Sequence, residues 1–280
     1  MAVIEKIDKG ERGIYDKRNK LNDLTGKEWL TLSSSTWLSK TQMDDIGKQH
    51  PAPFSYDDIE KLISLFTKKN MTVLDPMVGV ASTLIACGNK KRKGIGIDLN
   101  RNYIDLGKRR LKKFGITGQK LIAGDALKKI KKLGKIDYCV TSPPYHDILR
   151  KSGNGVRHDG SQTRQGVKYY SEMKKDVGNQ KSYNDYLSLL KEIMKEVFGR
   201  LRDGKYCSMV VSDFTVNKKE TDASGDVIKL MQDIGYIFKG KIILIQNQKS
   251  IYPFGYPYDY VVNHTNQFIL NFKKPKKAKR

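Results

Sequence analysis

Met71-Thr72-Val73-Leu74-Asp75-Pro76-Met77-Val78-Gly79-Val80-Ala81-Ser82-Thr83 is an apolar run that ends on an aspartate and opens into a glycine-bearing turn. An apolar run without alternation reads as a strand buried on both faces, the kind found in parallel sheets. After the turn the pattern predicts a helix over about 82–89. The unit then recurs. Residues 94–97 form a second apolar run ending in Asp98 and leading into a basic helix over about 101–114. A third, 119–123, ends at Gly124-Asp125, and a fourth, 136–140, empties into Thr141-Ser142-Pro143-Pro144-Tyr145. Strands alternating with helices predict a doubly wound, mostly parallel α/β sheet. Each strand delivers a polar group at its carboxyl end, the edge where open α/β sheets bind ligands.

Outward from this core, the apolar face Tyr186, Leu190, Ile193, Met194 and Val197 predicts a long helix. Strands are expected at 206–211, 241–245 and 267–272, with a helix near 226–234 and an aromatic, proline-bearing loop at 252–258 before the last strand. Upstream, 56–68 has amphipathic spacing, and His50-Pro51 begins the proline-stiffened turn ahead of it. Trp29, Leu30, Leu32, Trp37 and Leu38 bracket three serines and are expected to pack onto the main body. Residues 1–28 are polar without a sustained period and read as a mobile basic arm; residues 29–280 read as a single domain. Within it, 146–182 breaks the alternation and carries a dense basic set from Arg150 to Lys181. A loop of that length is either functional or disordered, and we read it as a target-contacting insertion.

Composition narrows the function classes. The 280 residues hold 53 Lys plus Arg against 30 Asp plus Glu, a net charge of +23, which points to a polyanionic partner, nucleic acid before others. No apolar run approaches the length of a membrane span, and the first residues lack the apolar stretch of a secretory signal, so the expected location is the cytoplasm. Cys87, Cys139 and Cys207 lie far apart in apolar settings and are expected to be reduced core residues. With the four histidines they form no metal-ligand spacing, so no metal is expected.

Three features carry chemistry. The turn after Asp75 has Gly79 where a backbone and a helix N-terminus approach a ligand, but no Gly-Lys-Ser/Thr follows. An aspartate in that mouth repels phosphate and attracts an ammonium group. Asp98, about 20 residues on, ends the next strand, where a carboxylate accepts from ribose hydroxyls; Asp125 ends the third. A cationic, ribose-bearing cofactor suits these carboxylates, and S-adenosylmethionine suits them better than NAD. Finally, Ser142-Pro143-Pro144-Tyr145 offers a hydroxyl, carbonyls that a Pro-Pro pair keeps out of a helix, and an aromatic face. That set fits a flat ring bearing an amine. It also fits a plain Pro-Pro turn closing a strand.

Taken together, these motifs resemble the S-adenosylmethionine-dependent amino-methyltransferases that modify exocyclic amines of bases, mostly in DNA, and the resemblance covers about residues 22–272. Ser142, Pro143, Pro144 and Tyr145 correspond to the family's catalytic motif. Asp75, Pro76, Met77 and Gly79 correspond to its cofactor loop, and His50 and Pro51 to the segment that closes over the methionine end. The resemblance implies further cofactor contacts at Ser82, Leu99, Ala126 and Thr141, with Asp98 on the ribose and Asp125 on the adenine amine. It also implies a seven-stranded sheet whose last strand is antiparallel. Ser at the first catalytic position leans toward the 4-amino group of cytosine in DNA; adenine in DNA, or a base in ribosomal or transfer RNA, stays open, as does a non-catalytic nucleic-acid-binding protein. A cognate restriction endonuclease is a partner the resemblance allows, and the chain is either monomer or dimer. Ring-carbon methylation is disfavoured because no cysteine follows a proline. The chain departs from the family pattern at Met77, where Phe is usual, and at Ala81, where a second glycine is usual; an alanine there implies φ below zero.

Overall fold

The computed structural model describes residues 5–40, 44–50, 54–144, 176–216 and 219–277. In chain order its helices are α1 (Gly26–Leu32), α2 (Tyr56–Phe66), α3 (Ser82–Asn89), α4 (Arg101–Lys113), α5 (Ala126–Ile130), α6 (Tyr183–Arg200) and α7 (Ala223–Ile234). The first strands are β1 (Lys6–Asp8), β2 (Ile14–Asp16), β3 (Thr36–Leu38), β4 (Thr72–Asp75), β5 (Lys93–Asp98), β6 (Lys120–Ala123) and β7 (Ile136–Thr141). They are followed by β8 (Leu201–Val211), β9 (Phe214–Val216), β10 (Lys219–Thr221), β11 (Ile237–Ile245) and β12 (Asn266–Lys273). Among the described residues the central sheet runs β3-β11-β12-β8-β7-β4-β5-β6. Every pairing in it is parallel except those of β12, which lies antiparallel to both β8 and β11.

Successive residues of the central strands face opposite layers. Leu74, Cys139, Met209 and Leu270 point into a core covered by α5, α6 and α7. Their neighbours Val73, Tyr138, Val210 and Ile269 point into the layer formed by α2 and α3. That two-sided burial is why these strands read as unbroken apolar runs. Cys87, Cys139 and Cys207 are buried and free, as expected.

The α/β class and the antiparallel last strand agree with the expectation, but the sheet has eight strands rather than seven. The additional strand, β3, comes from the tryptophan-bearing segment. Trp37 turns inward, nearly buried, with Lys61 Nζ 5.2 Å from its ring centre. The three residues around it pair with Ile243, Leu244 and Ile245 of β11. Apolar periodicity cannot foresee a three-residue edge strand, because long-range pairing makes it. The lysine-rich 126–130 stretch was not expected to be helical; Asp125 caps it, its Oδ1 accepting from Leu127 N at 3.0 Å.

The stretch read as a mobile arm also differs, since it carries structure from Glu5 on. β1 and β2 form a hairpin, Thr25 and Glu28 form a reciprocal capping box at the start of α1, and Asn22 Nδ2 donates to Leu65 O at 2.6 Å. Local polar bonds hold this segment together with one apolar contact, Leu24 against the core, and a single apolar residue leaves no hydrophobic period to read. Most of the expected 146–182 insertion, through Lys175, lies outside the described residues; its end begins with a single 3-10 turn, Val177–Asn179.

Candidate cofactor and catalytic site

The turns after β4, β5, β6 and β7 meet at the carboxyl edge of the sheet around a cavity of about 420 Å³. Pro76, Met77, Asp98, Leu99, Asp125 and Ala126 line one part of it, and Ser142, Pro143 and Pro144 another. A smaller hollow of about 40 Å³ adjoins, bounded by Asp75, Gly79, Ser82 and Thr83; the two share His50, Met77 and Ser142. The sequence-derived cofactor and catalytic residues therefore converge. Pro51 and Tyr145 lie outside the described residues.

Asp75 is 5% exposed and triply bonded: Oδ1 accepts from Met77 N at 3.1 Å and from Thr141 Oγ1 at 2.9 Å, and Oδ2 accepts from Thr83 Oγ1 at 2.6 Å. Burial pushes its carboxyl up to about 6 against the pull of those bonds. Asp98 is also raised by burial, to about 7, while Oδ2 accepts from Gly79 N and Oδ1 from Asn100 N, both at 2.8 Å. Gly79 has φ +51°, and a Cβ there would sit 3.0 Å from His50 Nε2, so the position needs glycine on two counts.

Ala81 overturns the expectation of negative φ. It takes φ +68°, ψ 26° at the N-cap of α3, fully buried. Its methyl faces Gly107 of α4, where an added Cβ would lie 3.1 Å away. The missing second glycine of the loop thus has a counterpart one helix away.

Two expected cofactor contacts act at one remove. Thr141 is 1% exposed and lines neither cavity; its hydroxyl orients Asp75. Ser82 borders the small hollow, but its Oγ accepts from Arg110 Nη1 at 2.7 Å. Arg110 itself is 1% exposed. Its Nε donates to Asp44 Oδ2 at 2.7 Å and its Nη1 to Val80 O at 3.1 Å, which ties the cofactor turn to the segment bearing His50. Sequence alone places it only in a basic helix.

Tyr103, Asp176 and Gln180 also line the main cavity and were not foreseen. Tyr103 lies one turn into α4 and packs on His50 with ring centres 4.6 Å apart. Asp176 accepts from Gly178 N at 2.9 Å, and an Asp-x-Gly turn at the end of the basic stretch was a usable signal. Neither cavity is lined by a Lys or Arg among the described residues, despite a net charge of +23. The carboxylates of Asp75, Asp98 and Asp125 in these linings suit the ammonium, sulfonium and ribose hydroxyls of S-adenosylmethionine. The donor set fits that cofactor. Asp75 and His50 would hold its methionine end, Asp98 its ribose and Asp125 its adenine.

At the turn after β7, Ser142 Oγ donates to Val210 O of β8 at 3.2 Å. With its proton engaged there, the oxygen presents lone pairs to the cavity it lines.

Known proteins resemble this chain over parts of their length. The type II methyltransferase M2.LlaDCHI of Lactococcus lactis subsp. cremoris is 33% identical over 106 residues, 35% of this chain and 35% of that protein. The type II methyltransferase M.HpaI of Haemophilus parainfluenzae is 38% identical over 64 residues, 23% of this chain and 20% of its own. This chain thus matches about a third of the length of the first relative and a fifth of the second. Among solved structures, TrmN from Thermus thermophilus superposes with a TM-score of 0.49 at 11% identity, over 78% of this chain and 48% of that one. The N6/N4 DNA methylase family model matches residues 3–109 and 136–280, most of the sequence, and the chain belongs to that family of S-adenosylmethionine-dependent enzymes.

Proposed function

We propose that this chain transfers a methyl group from S-adenosylmethionine to the exocyclic 4-amino group of cytosine in DNA, with the base flipped out of its helix. The observation that carries the reading is Ser142, whose hydroxyl donates to Val210 O while its oxygen borders the cavity shared with the carboxylates of the cofactor turns. An aryl amine is a poor nucleophile because its lone pair is delocalised into the ring. Ser142 Oγ and the Pro143 carbonyl accept its two hydrogens, drawing the nitrogen toward a localised, tetrahedral state. Positioning and hydrogen bonding supply the rate, and no enzyme side chain forms a covalent bond. S-adenosylmethionine, when bound, would supply an electrophilic methyl group on a sulfonium, its carbon–sulfur bond breaking to leave S-adenosylhomocysteine while the amine gives up one of its protons. Tyr145 keeps the stacking role that the resemblance implies. A base inside a duplex cannot reach this edge of the sheet without leaving its stack.

The 6-amino group of adenine would meet the same two acceptors, so the identity of the product decides between them. Purified protein is incubated with tritiated S-adenosylmethionine and, in parallel, with duplex DNA and total RNA, and the nucleosides are resolved by mass spectrometry. The expected product is 4-methylcytosine in DNA. Finding 6-methyladenine there would move the target base, label confined to RNA would move the substrate, and no label in either would overturn the reading.

A further inference from the structure

Residues 246–265, between β11 and β12, carry the most exposed aromatic group on the described surface. Tyr256, Tyr258 and Tyr260 are 80%, 89% and 84% exposed, with Phe254 and Ile251 beside them more than half exposed. Large rings rarely stand that far into water in clusters unless something covers them. The loop is a built scaffold. Asn263 closes its neck, Oδ1 accepting from Tyr252 N at 2.9 Å and Nδ2 donating to Tyr252 O at 2.8 Å. At the tip, the backbone N–H groups of Tyr258 and Asp259 both donate to Gly255 O at 2.8 Å, and Tyr252 packs on Phe254 with ring centres 5.5 Å apart. The base is tied to the neighbouring hairpin, where His264 Nε2 lies 3.1 Å from Glu220 Oε1.

Its place in the topology matters more. β11 runs parallel to β7 and β8, so its carboxyl end, where the loop begins, lies at the same edge as the Ser142 turn. The register joins the two: Ser142 bonds Val210 O, Val211 pairs with Phe268, and Ser212 Oγ reaches Asn266 O at 3.4 Å. Adjacent strands lie about 4.8 Å apart, so the neck of the loop is only about 10–15 Å from the catalytic turn. A duplex presenting a base to that turn would cover the loop as well.

We infer that Tyr256, Tyr258 and Tyr260 form a stacking platform for the bases left exposed where DNA opens beside the flipped nucleotide. The inference rests on the proposed reading of Ser142 as a DNA amine clamp. It commits the loop to DNA because the chain carries +23 overall and the loop shares an edge with the candidate catalytic turn. The loop itself, 246–265, contains one lysine, one aspartate and one histidine. Its contact with DNA is therefore through ring faces rather than phosphates. Base–aromatic stacking contributes roughly 1–3 kcal/mol per base by alanine substitution, or about 5- to 150-fold in affinity.

The test compares the parent with a triple Tyr256→Ala/Tyr258→Ala/Tyr260→Ala variant and with the matching triple Tyr→Phe variant. Duplex DNA affinity is read by fluorescence anisotropy across a salt series, beside S-adenosylmethionine affinity and methyl transfer. The expected result is a 10- to 100-fold weaker duplex Kd for the alanine variant, with the slope of log Kd against log salt unchanged, because no phosphate contact has been removed. Cofactor affinity stays at the parent value, and the phenylalanine variant recovers to within about threefold of the parent, since the ring faces remain. An alanine variant that binds and methylates DNA like the parent overturns the inference, as does a phenylalanine variant as defective as the alanine one. Unchanged DNA binding with loss of a concentration-dependent dimer would assign the loop to a second copy of the chain and also overturn it. A parent that transfers no methyl group to DNA refutes the underlying reading instead, which separates the two failures.

Discussion

The turns after β4 and β7 leave adjacent strands at the same edge, and they are held in opposite ways. The first is a socket fixed from several sides: three bonds converge on Asp75, Gly79 N donates to Asp98, and Arg110 holds Val80 O and Ser82 Oγ from below. Among the described residues the second is tied to β8 by the side-chain bond of Ser142 to Val210 O and carries two prolines. Thr141 joins them, its hydroxyl on Asp75 and its backbone leading into Ser142. The difference matches the division of labour we propose. A cofactor is the same molecule at every turnover and rewards a preformed cradle, whereas a flipped base arrives with its duplex and needs a few acceptors at a defined point.

If the first turn is the rigid one, breaking its support has the largest effect. Arg110→Ala leaves Asp44 with the backbone N–H groups of Ile46 and Gly47 but without its charged partner, and removes donors from Val80 O and Ser82 Oγ in the interior. Removing one member of a buried ion pair costs about 3–5 kcal/mol. Urea melts are expected to show a loss of that size, with cofactor affinity falling too. A loss under about 1 kcal/mol would mean that the socket is not held from below.

The second turn is expected to behave in the opposite sense. Ser142→Ala removes an amine acceptor and one surface-side bond, so folding changes little while single-turnover methyl transfer drops about 100- to 1,000-fold, as for the loss of one transition-state hydrogen bond. The cofactor Kd, measured by calorimetry, stays within about threefold. If cofactor binding fell as steeply as turnover, the two turns would not be functionally separable.

A smaller effect distinguishes them by pH. Asp75 and Asp98 are raised by burial to about 6 and about 7 in the ligand-free chain, and a cofactor bearing cationic and hydroxyl groups binds their ionised forms. Affinity is therefore expected to rise between pH 5.5 and 8, by about 100-fold where both carboxylates must be ionised, and then to level off. Stability moves the other way. The folded chain holds protons that the unfolded chain releases near pH 4, so ligand-free stability falls as pH rises from about 4 to 7. Asp75→Asn keeps both acceptor contacts of Oδ1 and turns the third bond around toward Thr83 Oγ1. At pH 8 it is expected to raise ligand-free stability on the order of 1–3 kcal/mol, since Asp75 is almost wholly buried, while weakening cofactor binding. A flat affinity profile from pH 5.5 to 8 would show that neither carboxylate titrates against the ligand.

The sequence made the first turn legible because buried parallel strands read as apolar runs, and the polar residue ending each run is conspicuous. Asp75, Asp98, Asp125 and Ser142 were visible for that one reason. Residues whose roles depend on packing across the chain were not. Arg110 sits among Lys108, Arg109, Lys112 and Lys113 and is distinguished from them only by partners distant in sequence, Asp44, Val80 and Ser82. Tyr103 and Asp176 enter the cavity by fold geometry rather than by motif, and β3 exists because β11 lies beside it. Loop conformation was misjudged for the same reason: the sign of φ at Ala81 is set by its surroundings, not by alanine's preference.

That position yields the subtlest prediction, because several terms of similar size oppose one another. Ala81→Gly relieves a left-handed backbone at about 1 kcal/mol, but it loses a buried methyl worth about 0.8 kcal/mol and loosens the unfolded chain by about 0.4–1 kcal/mol. Alone it is expected to be near neutral or mildly destabilising. Gly107→Ala should gain about 1 kcal/mol of helix propensity, yet its Cβ would meet the Ala81 methyl at 3.1 Å and Leu121 Cδ1 at 3.3 Å, which offsets the gain. Moving the methyl from one residue to the other removes the first clash and keeps the volume filled. The double variant Ala81→Gly/Gly107→Ala is therefore expected to be more stable than the sum of its single variants by about 0.5–1 kcal/mol in urea melts. Additive single variants would instead show that the Ala81 methyl and the space at Gly107 are not coupled, leaving the Arg110 bonds as the tie between α4 and this turn.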